Sequence, residues 1–335
     1  MKWLEENGYG FVFSLLIALV AYKLGTIFPL VGGPVLGILM GIIISNLGLR
    51  LERARPGIAF VSKKVLQWAI VFLGAGLNLN LIIKTGMQSL SVTLITLASA
   101  FIAAYGFGRL LNVSEDLKTL IGVGTAICGG SAIAAVSPII EAEENDVAFA
   151  ISTIFLFNIL AALVFPPLGH LLGLSDSGFG LWAGTAINDT SSVVAAAYSF
   201  SDEAGAYATI VKLTRTTLII PISLFFAFRT LSKKRKETTE DQSLSYSLGR
   251  IFPWFIVWFL LASLINTLGI FDFLGFSRLS NLAKFMITMA LVAVGLSVDF
   301  KKMKGSGFKP IILGLIVWFV VSLVSLITQF TMSQL

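Results

Sequence analysis

The sequence predicts an all-α, polytopic membrane protein with about eleven transmembrane helices, two of which are broken near the midplane. Hydrophobic residues make up 56% of the 335 residues and charged residues only 13%, whereas an ordinary soluble domain carries about 25% charge. The mean hydropathy is +0.90. Two polar motifs, sixty residues apart, interrupt segments that are otherwise apolar. A chain of this composition is an integral membrane protein.

The eleven predicted spans follow from the length of the apolar segments, since a membrane helix needs roughly 20 apolar residues. The first segment is a full span, too long for the apolar core of a signal peptide. The long hydrophilic stretch 230–249 is interpreted as a flexible cytoplasmic linker within a single domain, 1–335. The predicted spans are 9–28, 30–48, 62–81, 89–111, 117–140, 147–172, 178–200, 204–229, 250–271, 279–300 and 308–330.

The distribution of Lys and Arg predicts the orientation, because basic residues favour the cytoplasmic side. They crowd the loops near 49–64, 109–118, 230–236 and 301–304, all on one side if the N-terminus is inside. The loops at 141–146 and 202–203 are acidic and are predicted to lie on the other side. We therefore expect a multi-pass plasma-membrane protein with a cytoplasmic N-terminus and an external C-terminus.

The seventh span contains the most polar interruption of the chain. Asn188, Asp189, Thr190, Ser191 and Ser192 follow one another inside an apolar segment. Such a break is tolerated in a membrane only against protein or a watery cavity. A break at Asn188–Asp189 starts a new helix near Thr190, whose N-terminus attracts anions. The alternative is that Asp189 only caps a kinked helix.

The fifth span carries a related motif. Residues 124–136 share six identities over thirteen positions with residues 184–196. Gly129 and Gly130 permit a sharp break, and Ser131 could cap a second half-helix; glycine-mediated helix packing is the alternative. Paired interruptions at corresponding positions indicate the binding site of a transporter. We therefore predict that Gly129, Gly130 and Ser131 bind substrate together with Asn188, Asp189, Thr190, Ser191 and Ser192.

A second internal similarity joins the ends of the third and tenth spans, Gly76-Leu77-Asn78-Leu79-Asn80 and Gly295-Leu296-Ser297-Val298-Asp299. These ends are predicted to face opposite sides, which indicates an inverted-repeat secondary-transporter fold with its two broken helices crossing near the midplane. The two broken spans do not fit this symmetry, because both are predicted to cross in the same direction. Either one of them is re-entrant or the second repeat is permuted.

Two cations lie about one-third of the way through the eighth span. Lys212 and Arg215 are three residues apart and share a helix face. Charges at that depth are costly unless they are paired or hydrated. Asp189 alone cannot neutralise both, so we predict that they face Asp189 or the cavity and bind an anionic substrate. Snorkelling toward the headgroups is the alternative. Asn158, in the sixth span, is more typical of interhelical hydrogen bonding.

The motifs GVGTAICGGSAIAA at 122–135, GTAINDTSSVVAAA at 184–197 and LGAGLNL at 73–79 resemble the YeiH-type family of bacterial membrane proteins, which carries a sulfate-exporter name. The resemblance covers nearly the whole chain. It implies sulfate or a related oxyanion as substrate, and kinship with bile-acid/sodium symporters and cation/proton antiporters. VGLSVDF at 294–300 is similar to an ending common in those antiporters. Asn188-Asp189 stands where many electrogenic antiporters have two aspartates.

The leading hypothesis is a secondary active transporter of a small inorganic or organic anion, with Asp189 as the coupling carboxylate. A cation/proton antiporter that uses Asp189 is one alternative, and a non-transporting receptor or structural membrane protein is another. The expected partners are the anion, the lipid bilayer, H⁺ or Na⁺ as coupling ion, and a second copy in a homodimer. No enzymatic activity, cofactor, metal site or nucleic-acid partner is expected, since the chain has one cysteine, one histidine and no nucleotide-binding loop.

Overall fold

The computed structural model describes residues 2–27, 32–47, 51–237, 253–270, 279–298 and 308–334, and within these ranges the regular structure is entirely helical. A short π-helix, Val61–Val65, joins α3 to α4. The helices are α1 (Lys2–Ile27), α2 (Gly32–Asn46), α3 (Arg55–Phe60), α4 (Leu66–Gly74), α5 (Leu79–Leu110), α6 (Glu115–Ala126), α7 (Gly130–Ile140), α8 (Glu144–Leu171), α9 (Asp176–Ala186), α10 (Thr190–Phe200), α11 (Asp202–Thr217), α12 (Ile219–Glu237), α13 (Trp254–Thr267), α14 (Leu279–Leu296) and α15 (Phe308–Thr331).

In the part of the chain that the structure describes, six helical stretches are long and apolar enough to cross a membrane, which confirms the prediction of an all-helical, multi-pass membrane protein. They are Glu6–Ile27, Arg55–Gly74, Leu79–Leu110, Glu144–Leu171, Asp202–Thr230 and Phe308–Thr331. Four shorter apolar helices, Gly33–Asn46, Gly130–Ile140, Trp254–Thr267 and Asn281–Leu296, accompany them. The predicted linker 230–249 lies outside the described residues from 238 onward, and its first part, to Glu237, is helical.

The segment predicted as the fifth span is a helical hairpin. α6 and α7 are joined by a three-residue tip, 127–129, and both ends of the pair lie at the same end of the molecule. Ser114, which caps α6, donates a hydrogen bond of 2.5 Å to Asp146 Oδ2 in the first turn of α8. α6 has 12 residues and is therefore only about 18 Å long. We call this end of the molecule end A and the α6–α7 pair the first hairpin.

The segment predicted as the seventh span is a hairpin as well. Its tip is 187–189, and α10 brings the chain back to the start of α9. Ser201 Oγ, after α10, donates a 2.5 Å hydrogen bond to Asp176 Oδ1 at the start of α9. The rings of Phe179 and Phe200 stack with their centroids 4.1 Å apart. We call this end B and the α9–α10 pair the second hairpin; α8 runs between the two ends.

These hairpins correct two expectations. Segments 117–140 and 178–200 do not run from one end of the molecule to the other, so both are re-entrant. The prediction had both crossing in one direction and left open that one of them is re-entrant. The acidic loop 141–146 lies at end A beside Ser114, and not on the opposite side from the basic residue Lys118, which pairs with Glu115 at 2.5 Å. Apolar length alone does not distinguish a crossing helix from two half-length helices that turn back.

The remaining helices form two groups. The hairpins pack with α5, α8, α11, α12 and α15 in a group that we call the hairpin bundle, and α1–α4, α13 and α14 form a second group, the panel. α2 and α14 approach closely, because a Cβ on Gly41 would lie 2.4 Å from the carbonyl oxygen of Val292. α10 packs against α2 and α14 of the panel, whereas α7 packs against α6, α8 and α12 inside the hairpin bundle.

Candidate functional site

The tips of the two hairpins meet in the middle of the hairpin bundle. A Cβ placed on Gly129 would lie 3.4 Å from Cβ and 3.6 Å from Cα of Asp189. Residues 127–129 and 187–189 are non-helical, so the prediction of two adjacent breaks is confirmed. Gly129 has φ of +68° and ψ of −131°, a conformation open mainly to glycine. This residue makes the sharp turn of the first hairpin possible.

Lys212 and Arg215 of α11 reach both tips, and both side chains are completely buried. The Nζ of Lys212 donates to the carbonyl of Ile127 at 2.8 Å and to that of Ile187 at 3.0 Å. These two residues occupy the same position in the repeated Gly-Thr-Ala-Ile sequence. One ammonium group therefore binds equivalent carbonyl groups from the two hairpins.

Arg215 continues the same pattern one helical turn along α11. Its guanidinium donates to the carbonyls of Thr125 and Thr185, which are again equivalent positions of the repeat. Its Nε donates to the carbonyl of Ala126 at 2.6 Å. The last carbonyls of a helix lack partners within that helix and carry about half a negative charge. Lys212 and Arg215 thus cap the C-termini of α6 and α9 and hold the two tips together.

These contacts change the role predicted for the two cations. Both side chains face the tips and not lipid, as expected, but among the described residues neither forms an ion pair with Asp189, and their nitrogens bind backbone carbonyls. The prediction counted only charged side chains, and the partial negative charge of two helix ends supplies the missing balance. Direct contact of Lys212 or Arg215 with a substrate has no support in this geometry.

Asp189 caps the second half of its own hairpin. Its Oδ2 accepts hydrogen bonds from the hydroxyl of Ser191 and, at 3.3 Å, from the backbone N–H and the hydroxyl of Ser192. Its Oδ1 has no hydrogen-bond partner among the described residues, and the side chain is half-exposed. The predicted cap is present, and one carboxylate oxygen is still available for a proton, a cation or a hydrogen-bond donor.

Two buried amides surround the second tip. Asn158 Oδ1, on α8, accepts from the backbone N–H groups of Asn188 at 3.2 Å and Asp189 at 3.3 Å. Among the described residues, Nδ2 of Asn158 and both side-chain polar atoms of Asn188 are buried without a partner. Such groups cost about 1–3 kcal/mol each. The sequence predicts interhelical hydrogen bonding for Asn158, and this is confirmed, with the backbone of the second tip as the partner.

The first tip is different, because Gly129 offers no side chain to cap α7. The N–H groups at the start of α7 belong to Gly130, which is half-exposed, and to Ser131, which is exposed. Thr190, at the start of α10, is half-exposed, and Ser191 and Ser192 are buried. Gly130, Ser131, Asp189 and Thr190 are therefore the accessible residues around the two tips, which we call the accessible face, and the two cations are completely buried.

Comparison with known proteins gives a family. The family model described as conserved hypothetical protein 698 matches residues 9–314. A UPF0324 membrane protein of Fusobacterium nucleatum is 48% identical over 338 residues, covering 95% of this chain and 96% of that protein. UPF0324 membrane proteins of Streptococcus pyogenes serotype M6 and Streptococcus agalactiae serotype V are each 46% identical, with coverage of 96% and 97% of both chains, respectively. The chain belongs to this family of membrane proteins.

Proposed function

We propose that this member of the UPF0324 family is a secondary active transporter of a small anion, which binds at the accessible face of the two tips. The observation that carries this proposal is the uncapped N-terminus of α7, with the exposed Ser131 beside it. A helix N-terminus offers free N–H groups and about half a positive charge, which suit an anion. The N-terminus of α10 lies at the neighbouring tip and is capped by Asp189.

The charge balance of the tips also favours an anion. The C-termini of α6 and α9 contribute about one negative charge together, and the N-termini of α7 and α10 about one positive charge. Lys212 and Arg215 add two positive charges, and Asp189 removes one. The sum is about +1 when all three side chains are charged, so a monovalent anion would bring the site close to neutrality. The buried cations act on the anion through the field and not through contact.

The order of the helices supports a transporter. The first hairpin with α8 and the second hairpin with α11 and α12 are consecutive units of one kind that enter from opposite ends. We infer an inverted repeat from this relation, with the binding site where the two units meet. The segments 127–129 and 187–189 meet at that point. We propose sulfate, a related oxyanion or an organic anion as the substrate, and Asp189 as the group that couples its movement to H⁺ or Na⁺.

A cation/proton antiporter is the second candidate, and one observation favours it. Lys212 and Arg215 bind backbone carbonyls, so neither cationic side chain occupies the unpaired Oδ1 of Asp189, where a small cation could bind. A cation would bind that oxygen in exchange for a proton. The two candidates predict different results when a negative charge is placed at the start of α7. An anion transporter should lose anion uptake, whereas an antiporter should keep its sodium-driven proton flux.

Ser131 offers that test, because it is exposed and lies in the first turn of α7. S131D places a carboxylate at the proposed anion position, and S131N is the neutral control of similar size. Protein reconstituted in vesicles is tested for uptake of radiolabelled sulfate, phosphate and acetate under proton and sodium gradients. An anion transporter retains uptake in S131N and loses it in S131D.

Retention of anion uptake in S131D would remove the proposed anion position. Sodium-driven proton flux that survives in S131D, with no anion uptake by the unaltered protein, would establish the antiporter. Absence of both fluxes in folded, reconstituted protein would favour a membrane protein without transport.

A further inference from the structure

A cavity of about 180 Å³ lies at end B, between the panel and the hairpin bundle. Its polar and aromatic lining comes from both groups. Tyr22 and Thr26 belong to α1, Lys284 and Thr288 to α14, Tyr198 to α10 and Asp202 to α11. The cavity is therefore formed only where the two groups of helices meet.

An ion pair crosses this cavity. Lys284 Nζ donates to Asp202 Oδ2 at 2.6 Å, and the side chains are 31% and 61% exposed. Asp202 is the first residue of α11 and is exposed enough to turn away into solvent. A carboxylate at this distance shows that the ammonium group is positioned to receive an oxyanion at the mouth of the cavity. The hydroxyl of Tyr198 has no partner among the described residues and is a second donor available there.

The cavity is connected to the proposed site by α10. That helix begins next to Asp189, and Tyr198 lies eight residues after Thr190, a distance of about 12 Å along the helix axis. Between them, Val194 of α10 packs in one apolar cluster with Ile287 and Leu291 of α14, all buried. This buried apolar layer thus separates the cavity from the tips.

We propose that this cavity is an anion-binding vestibule at end B, in which Lys284 receives the anion and the Asp202 carboxylate takes the same place when no anion is present. This inference rests on the proposed anion transport and adds a second site to it. Because the carboxylate and the anion compete for one ammonium group, the ion pair must open before an anion can bind. Asp202 therefore acts as a built-in competitor.

Because of this competition, removing the charge of Lys284 and removing the charge of Asp202 should change the KM for anion uptake in opposite directions. The measurement is the KM for uptake of radiolabelled sulfate into vesicles, with acetate as the monovalent probe. K284Q should raise the KM about fivefold, the size expected of one partly exposed charge contact. D202N should lower it. In the double variant D202N/K284Q the KM should equal that of K284Q, because Asp202 acts only through Lys284.

The ion pair of Lys118 and Glu115 at end A provides a control. It is also a lysine–carboxylate pair, at 2.5 Å, but it lies within α6 and away from the cavity, so E115Q should leave the KM unchanged. If K284Q and D202N both raise the KM, the pair only joins two helices and the vestibule is refuted. If D202N lowers the KM equally with and without Lys284, the carboxylate repels anions at a distance, which also refutes it.

The vestibule and the proposed function can fail separately. Anion uptake that S131D abolishes but K284Q and D202N leave unchanged would keep the transport function and remove the vestibule. Absence of anion uptake by the unaltered protein would remove both.

Discussion

The two hairpin tips are alike in their first half and different in their second. Gly-Thr-Ala-Ile ends the first helix of both hairpins, and in both the Thr and Ile carbonyls bind Arg215 and Lys212. After that point, Cys128-Gly129-Gly130 in the first tip stands where the second has Asn188-Asp189-Thr190. The shared Gly-Thr-Ala-Ile segments hold the tips together. The segments that differ supply an uncapped N-terminus in the first tip and the carboxylate of Asp189 in the second.

The second helices of the hairpins also differ in burial. Ser191 and Val194 of α10 are buried, and α10 is covered by α2 and α14 of the panel. The equivalent residues of α7, Ser131 and Ala134, are exposed. The second helix of one hairpin is therefore covered by the panel, and the second helix of the related hairpin is not. In the proposed transporter, exchange of these two arrangements would move access to the tips from end A to end B.

The largest expected effect on the free energy of unfolding comes from the Gly-Thr-Ala-Ile segments that the two hairpins share. R215Q removes the donors to carbonyls of both tips and leaves helix ends buried without partners, so we expect a loss of at least about 3 kcal/mol in the free energy of unfolding. R109Q, which changes an exposed arginine at end A, is the control and should stay within about 0.5 kcal/mol. Thermal unfolding in detergent measures both. An R215Q protein as stable as R109Q would mean that the carbonyl contacts do not hold the tips.

A smaller effect on the free energy of unfolding is expected at Gly129, which forms a sharp turn that only the first tip contains. G129A forces a Cβ onto a residue with φ of +68° and should cost about 1–3 kcal/mol in the free energy of unfolding. Gly130 has a helical conformation, and its added Cβ would lie 3.6 Å from the ring of Phe155, so G130A should be nearly neutral. The same unfolding assay compares them. Equal stability of the two variants would contradict the hairpin geometry of the first tip.

Part of this arrangement could be predicted from the sequence. The repeated motif, polar residues in apolar segments and the one-face spacing of Lys212 and Arg215 were enough to place two breaks and two cations together. The re-entrant path was only one of two alternatives that the sequence left open, because hydropathy is the same whether 117–140 crosses or turns back. The targets of the cations were not predictable either, since backbone carbonyls are common to all residues and only helix ends leave them free.

A still smaller change in stability than that of G129A is expected at Asp189, although this residue has the largest proposed role in coupling. Asn caps helices about as well as Asp, so D189N should keep the second tip intact and change the free energy of unfolding by less than about 1 kcal/mol. What it removes is the Oδ1 to which no other group binds and which can take up a proton with the anion. If anion and proton bind together, linkage requires the anion to bind more tightly as the pH falls, by at most about tenfold per pH unit for one proton. Titration of sulfate and acetate binding from about pH 5 to 8 should therefore give a slope in the unaltered protein and none in D189N. Equal slopes in the two proteins would mean that Asp189 is a helix cap alone and that the tips differ in structure but not in coupling.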